Sequence, residues 1–215
     1  LVLVERKNVF RTNAFQDGWF EVQDLSSQLV AEALDPQPGT RVFDVCAGAG
    51  GKTLHIASLM QNKGQIIALD LYEWKLKELK RRAKRAGAHN IETRPIIAKT
   101  IKRLKDSADA LLIDAPCSGL GVLKRNPDAK WKLDAAFIER ITKEQEEILQ
   151  NHSKVLRKGG KMVYATCSIL PEENEQQVEK FLANNPEFSL VKQETLLPNK
   201  TGNDGFFIAV LERKV

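Results

Sequence analysis

The sequence predicts an α/β fold with an open, mostly parallel sheet and helices on both faces. Three observations carry that prediction. Short apolar stretches, several rich in β-branched residues, alternate with longer stretches of helical period. Glycines stand where one period gives way to the next. The composition is that of an ordinary folded domain: 42% hydrophobic and 28% charged residues with 13 Gly and 8 Pro, which excludes disordered, collagenous and low-complexity chains. A length of 215 residues predicts one domain.

Residues 1–35 read as a polar lead-in containing a helix from Leu25 to Leu34 that Pro36 and Pro38 close off, and residues 36–215 as the domain itself. Strand-length apolar runs follow at Arg41 to Cys46, Gln65 to Leu69, Ile91 to Ile97, Ala110 to Ile113 and Lys161 to Ala165. Between them, helical patterns cover Thr53 to Met60, Tyr72 to Ala86 and Asp134 to Arg157. The last of these has Phe137, Ile138, Ile141, Ile148, Leu149, Val155 and Leu156 on one side. Gly39, Gly64, Gly87 and Gly159-Gly160 mark turns. Strands separated by helices pair in parallel through right-handed crossovers. After a helix from Glu173 to Asn184, the strand-like pieces Phe188 to Lys192 and Gly205 to Leu211 are joined by a short Pro/Asn/Gly segment, which predicts an antiparallel pair at one edge.

No apolar run approaches the roughly 18 residues that a spanning helix needs, and the apolar start at Leu1 to Val4 is cut off by Glu5, Arg6 and Lys7. Secretion and membrane insertion are therefore not expected. Cys46, Cys117 and Cys167 are odd in number and far apart, so neither a disulfide framework nor a clustered metal site is expected, and a reducing compartment such as the cytoplasm fits. A chain that starts with Leu rather than Met reads as part of something longer on its N-terminal side.

The 33 Lys+Arg against 28 Asp+Glu give a net charge of +5 and a pI near 9.1, which permits nucleic-acid binding without requiring it. Seven basic residues fall between Lys75 and Arg85 (Lys75, Lys77, Lys80, Arg81, Arg82, Lys84, Arg85), while Tyr72, Leu76, Leu79, Ala83 and Ala86 keep a helical period. That is an amphipathic helix with a cationic outer face, whose plainest reading is a solvated surface. A second group, Lys124, Arg125, Lys130 and Lys132, surrounds Pro127 in a stretch without period beside a motif described below, and it is a candidate substrate contact.

Ligands of such sheets bind beyond the carboxyl ends of the strands. The first strand ends in Asp44-Val-Cys-Ala-Gly-Ala-Gly-Gly-Lys-Thr53. A phosphate-binding P-loop would need glycine at position 46, where Cys46 stands, and a dinucleotide fingerprint would need glycine or alanine at position 53, where Thr53 stands. What remains is a glycine turn, with Asp70 about twenty residues on at the end of the second strand, placed to accept hydrogen bonds from ribose hydroxyls. An adenosyl cofactor without a pyrophosphate suits it, and so does a purely structural turn. The fourth strand runs into Asp114-Ala-Pro-Cys-Ser-Gly119 and the fifth into Thr166-Cys-Ser168, which brings Cys117 and Cys167 to one cleft. One cysteine is more often a small buried hydrophobe. Two at neighbouring strand ends, with Asp114 three residues before one of them, point to nucleophilic chemistry.

These three motifs, in this order and with the lead-in Phe20-Glu-Val-Gln-Asp24, resemble the RsmB/Nop2/Sun family of RNA cytosine-5 methyltransferases from about Phe15 to the C-terminus. The resemblance implies a Rossmann-like class I methyltransferase with a seven-stranded sheet, S-adenosylmethionine as methyl donor and a cytosine in RNA as acceptor. Ribosomal RNA is the favoured substrate, with transfer RNA the alternative. It implies Cys167 as nucleophile and Cys117 as the residue that assists product release. Cofactor contacts are implied at Cys46, Ala47, Gly48, Ala49, Gly50, Gly51 and Lys52, at Asp70 and at Asp114, with Lys52 also reaching towards the target nucleotide. A monomer that needs no metal is expected. Two departures stand out: Gly48-Ala49 replaces the family's commoner Ala-Pro, and Arg94-Pro-Ile-Ile-Ala-Lys-Thr100 lacks the acidic residue that many members place near the adenine.

The chemistry explains the residue types. Carbon 5 of cytosine is too weak a nucleophile to attack a methylsulfonium, so a thiolate first adds at carbon 6, the role expected of Cys167. A free thiol titrates near pH ~8.5, and Lys52 is a candidate for lowering that value. Asp114 is the candidate acid at N3, and Cys117 the candidate base or promoter of elimination. The target base must leave its stack, with basic groups holding the flanking phosphates. Three rival readings fit less well: a DNA cytosine methyltransferase would use Cys117 and leave Cys167 unexplained, an RNA-binding scaffold without turnover would not need Lys52, Asp114 and both cysteines, and a small-molecule or protein methyltransferase would have no use for two cysteines in the cleft.

Overall fold

The computed structural model describes residues 3, 5, 7–97 and 99–215, and for Lys132 the backbone alone. Helices are α1 (Asn13–Gln16), α2 (Leu25–Leu34), α3 (Gly51–Leu59), α4 (Glu73–Arg85), α5 (Thr100–Arg103), α6 (Ala135–His152), α7 (Glu175–Asn184) and α8 (Pro198–Thr201). Strands are β1 (Arg41–Asp44), β2 (Gln65–Asp70), β3 (Ile91–Pro95), β4 (Ala108–Asp114), β5 (Leu156–Thr166), β6 (Phe188–Leu196) and β7 (Phe206–Arg213). They form one seven-stranded sheet in the order β3-β2-β1-β4-β5-β7-β6, parallel except for β7, which runs antiparallel to both β5 and β6. This is the predicted class I architecture with its antiparallel edge pair.

Both faces are covered, which is why the central strands are apolar without alternation. Phe43, Leu111, Tyr164 and Phe207 pack on one face with Leu149 of α6 and Phe181 of α7. Their strand neighbours Val42, Leu112, Val163 and Ile208 pack on the other with Val30 of α2 and Ile56 of α3. The helix read as part of a lead-in thus contributes Val30, Ala31 and Leu34 to the core. The first four residues, whose apolar run ends at the charged 5–7 segment, lie largely outside the described ones.

The order reverses between β1 and β4, and the register there sets the site. Asp44 of β1 lies opposite Ala68 of β2 and Leu112 of β4, and Asp114 of β4 lies opposite Ala165 of β5. The loops that leave these strands therefore start side by side.

The largest difference from the sequence-based expectation precedes β5. Helix α6 stops at His152, a 3-10 turn takes Ser153–Val155, and Leu156 already pairs with Ala108 of β4. Val155 and Leu156 are fully buried, and an apolar pair continues a helical period and a strand equally well. Gly159-Gly160 falls inside β5, where the register shifts between Ala108 and Ala110, so it accommodates a bulge and does not separate two elements.

The basic helix α4 buries Leu76, Leu79 and Ala83 as its period predicts. Two of its cations do not lie on a solvated face. Arg85 pairs with Glu21 and sits over the Phe15 ring at 4.0 Å, and Arg82 bonds Glu21 at 3.0 Å and the Ala49 carbonyl at 2.8 Å. The correction has a steric cause: the segment before α2 folds back onto α4 and brings an acid to that side.

Candidate active site

The turn after β1 is shaped by backbone. Gly48 (φ +54) and Gly50 (φ +89) take left-handed conformations that side chains disfavour, and Gly50 opens α3. A Cβ at Gly48 or Gly51 would meet nothing within 4 Å, so the outer face of the turn is open to a ligand. Asp70, at the end of β2, fixes the turn: its Oδ2 accepts from the Gly48 amide at 2.9 Å and its Oδ1 from the Tyr72 amide at 2.8 Å. Each oxygen keeps a lone pair for a further donor.

Beneath the turn, Asp44 is buried. Its Oδ2 accepts from the Thr53 hydroxyl at 2.7 Å, while its Oδ1 has no hydrogen-bond partner among the described residues. Burial raises this carboxyl to about 7, and nearby Asp114 adds to the effect against the pull of Lys52. Burial also pushes the Cys46 thiol well up, with Asp44, Asp114 and Asp70 acting in the same direction, so Cys46 is a neutral, apolar member of the turn.

Lys52, in the first turn of α3, reaches Asp114 at the end of β4 with Nζ to Oδ2 at 2.7 Å, and the ammonium lies 5.0 Å from the centre of the Phe206 ring. The Lys52 side chain is 11% exposed and that of Asp114 29%, so the pair stands at the cleft wall.

Beyond β4 and β5 the two cysteines meet, with Cys117 Sγ 3.3 Å from Cys167 Sγ and both thiols free. The Cys117 thiol is pushed well up, chiefly by its hydrogen bond to Cys167 and then by burial. Cys167 is lowered, chiefly by that hydrogen bond, with Lys52 and Arg125 assisting against burial and Asp114. At this distance either sulfur could donate; the directions of the two shifts correspond to Cys117 donating and Cys167 accepting, an arrangement that favours a thiolate at Cys167. The Cys167 carbonyl accepts from the Gly121 amide at 2.9 Å, and the Gly121 carbonyl from the Gly205 amide at 2.8 Å.

Of the predicted RNA-contacting residues, Lys124 donates to the Gly202 carbonyl at 3.0 Å and Arg125 to the buried Asp204 at 2.6 Å, so both tie their loop to the start of β7. Lys130 is exposed, 4.8 Å from the centre of the exposed Trp131 ring. The side chain of Lys132 lies outside what the structure describes.

Sequence reasoning missed Glu173. This carboxylate is fully buried and accepts from the Ser118 amide at 2.8 Å, the Ser118 hydroxyl, the Ser168 hydroxyl at 2.6 Å and Gln145 Nε2 at 3.0 Å. Its only signal is its place after Thr-Cys-Ser, and nothing distinguishes it from exposed Glu172 beside it. Phe206, under Lys52, was also missed, because it reads only as the start of a strand.

Turn, acid and sulfur pair thus lie at one edge of the sheet, and comparisons with known proteins show the family. The family model for 16S rRNA methyltransferase RsmB/F matches residues 31–212. This chain belongs to that family. A probable ribosomal RNA small subunit methyltransferase B of Synechocystis sp. is 39% identical over 217 residues, covering 93% of this chain and 49% of the relative. Ribosomal RNA small subunit methyltransferase B of Proteus mirabilis is 37% identical over 217 residues, covering 96% and 49%. The chain thus spans about half the length of these RsmB/F relatives. Among solved structures, NSun6 from Pyrococcus horikoshii with the S-adenosylmethionine analogue SFG superposes with a TM-score of 0.89 at 32% identity, covering 97% of this chain and 56% of that one. A methyltransferase homolog protein from the same organism gives 0.86 at 32% identity, covering 98% and 73%.

Among the described residues no helix is long and apolar enough to cross a membrane, and no group of three or more His, Cys, Asp or Glu side chains is placed to hold a metal ion.

Proposed function

We propose that this chain is the catalytic part of an S-adenosylmethionine-dependent methyltransferase that modifies carbon 5 of a cytosine in ribosomal RNA, acting as a cytoplasmic monomer. The observation that carries the reading is the sulfur pair: two thiols 3.3 Å apart, one lowered and one raised, beside a lysine-carboxylate pair. Ribosomal RNA as substrate is supported by the names of the RsmB/F relatives.

The residues present fit the cofactor. The open glycine turn from Cys46 to Lys52 offers room for a close backbone approach, Asp70 stands where ribose hydroxyls would donate, and Asp44 below the turn keeps a buried oxygen that has no partner among the described residues. Asp114 completes the set. S-adenosylmethionine supplies an electrophilic methyl group when bound.

The chain's own groups do the rest. The Cys167 sulfur adds to carbon 6 of the flipped cytosine, and Asp114 holds a proton at N3 as charge moves into the ring. Lys52 Nζ donates to Asp114 Oδ2 and so orients the carboxyl group whose other oxygen carries the proton for N3, and the ammonium favours negative charge on Cys167. Once Cys167 is bonded to carbon, its negative charge is gone and so is the main cause that holds the Cys117 proton. Cys117 can then give that proton to solvent and take the one on carbon 5, after which the double bond returns as the bond from carbon 6 breaks with its electrons going to the Cys167 sulfur, and N3 gives its proton back to Asp114.

Transfer of labelled methyl groups to RNA, with a denaturing gel for protein-RNA adducts, tests this. Cys167→Ala abolishes transfer and forms no adduct; Cys117→Ala stalls with an adduct that survives denaturation. An adduct formed by Cys167→Ala would reverse the two roles. Bisulfite mapping of cellular RNA with and without the gene separates ribosomal from transfer RNA.

A further inference from the structure

We infer that Glu173 is a positioning residue: it locks the loops after β4 and β5 to each other so that the Cys117 thiol stays directed at the Cys167 sulfur. The argument starts from sequence position. Ser118 follows Cys117 and Ser168 follows Cys167, and the Glu173 carboxylate binds both serines at once, through the Ser118 amide at 2.8 Å, the Ser118 hydroxyl and the Ser168 hydroxyl at 2.6 Å. A fourth donor, Gln145 Nε2 at 3.0 Å, comes from α6 and also bonds the Pro116 carbonyl at 2.9 Å, just before Cys117.

The backbone around Glu173 is held as firmly. Its carbonyl accepts from the Tyr164 hydroxyl at 2.7 Å. Its neighbour Asn174, also fully buried, accepts from Thr166 Oγ1 at 2.5 Å and donates to the Ser168 carbonyl at 3.1 Å. Tyr164, Thr166 and Ser168 lead into and out of Cys167. Both cysteines are thus fixed through the residues that flank them, and neither is touched by Glu173 itself.

The choice of a carboxylate is informative. Among the described residues Glu173 forms no ion pair, so its charge is satisfied by neutral donors alone, and a buried charge without a cation is an expensive way to join two loops. A carboxylate accepts and never donates, so both serine hydroxyls must point towards it, and its four lone-pair sites match the four donors present. A glutamine in its place keeps the shape but turns one end into a donor. Glu173 also raises the Cys117 thiol through its negative charge, which keeps the proton where it serves Cys167.

This inference rests on the cysteine roles proposed above, but its test reads thiol titration without methyl transfer, so the two can fail separately. In the full chain, site-resolved alkylation by iodoacetamide from about pH 6 to pH 10 gives the titration of Cys167. With Glu173→Gln, the midpoint moves up and alkylation at pH 7 slows by about tenfold, the change expected of a one-unit shift. In a Cys117→Ala background the same substitution adds nothing, because the donor it places is already gone. Ser168→Ala, which removes one of the four donors, gives a smaller shift in the same direction and serves if Glu173→Gln does not fold. A Cys167 titration unchanged in either variant, or an equal shift with and without Cys117, would make Glu173 a purely structural anchor and overturn the inference.

Discussion

The two halves of the cleft are built in opposite ways. On the β1-β2 side, the turn from Cys46 to Lys52 is made of backbone from one continuous stretch, which Asp70 holds at the Gly48 amide and Arg82 at the Ala49 carbonyl. On the β4-β5 side, Cys117 and Cys167 come from two separate loops that are joined by side chains, with Glu173 bonding the serine after each cysteine and Gly121 gripping the Cys167 carbonyl. The first half is open, as a site for a ligand that must enter and leave should be. The second is closed around polar groups whose mutual satisfaction sets a distance between two sulfurs. Such networks are specific when complete and costly when one member is lost.

If the halves are mechanically separate, glycine substitutions should break them one at a time. A Cβ at Gly121 would lie 2.1 Å from the Gly205 carbonyl oxygen and 2.8 Å from that of Cys167, both backbone atoms that cannot swing aside. Gly121→Ala should cost about 3 kcal/mol, the upper part of the range for overpacking, and slow Cys167 alkylation, while binding of S-adenosylhomocysteine by calorimetry stays within about twofold. Gly50→Ala combines a φ of +89 with a Cβ 2.5 Å from Leu79 Cγ in the core. It should cost about 1–3 kcal/mol and weaken the cofactor analogue, leaving the Cys167 titration unmoved. Both readouts changing together in either variant would show that the cleft moves as one piece.

The same contrast explains what was legible. The turn could be read from Asp44 to Thr53 because its shape is set by local glycines, and the meeting of Cys117 and Cys167 because each follows the end of an apolar strand. The alternation of periods predicted the mostly parallel sheet with its antiparallel edge pair, the resemblance implied seven strands, and the strand order came from the fold. Glu173 could not be read: one of two consecutive glutamates looks solvated, and only the fold reveals that the turn Pro171–Glu173 points one of them inward. Arg82 and Arg85 look like members of a cationic stripe until the preceding segment delivers Glu21. Where α6 ends was hidden for a simpler reason, since Val155 and Leu156 are apolar in either conformation.

A smaller effect distinguishes the halves by pH. The folded chain holds the Asp44 carboxyl near 7, above its ordinary 3.8, so between those values the native state keeps a proton that the unfolded chain has released. Stability contributed by this group is therefore full below about pH 4 and is lost as pH rises towards 7, by at most about 1.4 kcal/mol per unit. Asp44→Asn retains an acceptor for Thr53 and removes the titration. Its melting temperature should exceed that of the parent at pH 8, by a few degrees, and match it near pH 4. An equal difference at both values would assign the gain to packing and not to the proton.

The smallest expected effect concerns the rim. Lys124 and Arg125 spend hydrogen bonds on Gly202 and Asp204, so replacing them disturbs the loop as well as any phosphate contact. Lys130 is exposed, forms no ion pair among the described residues and stands beside an exposed tryptophan face, which makes it the cleaner probe of the second half's outer surface. A lysine that neutralises one phosphate of a single strand releases a counterion, and its loss lowers the slope of log affinity against log salt by about 0.7. Lys130→Ala should therefore weaken RNA binding most at low salt and hardly at all at high salt, with Cys167 alkylation and cofactor binding unaffected. A parallel loss at every salt concentration would mean that Lys130 acts through the loop's shape, and would place the RNA's phosphates elsewhere on the rim.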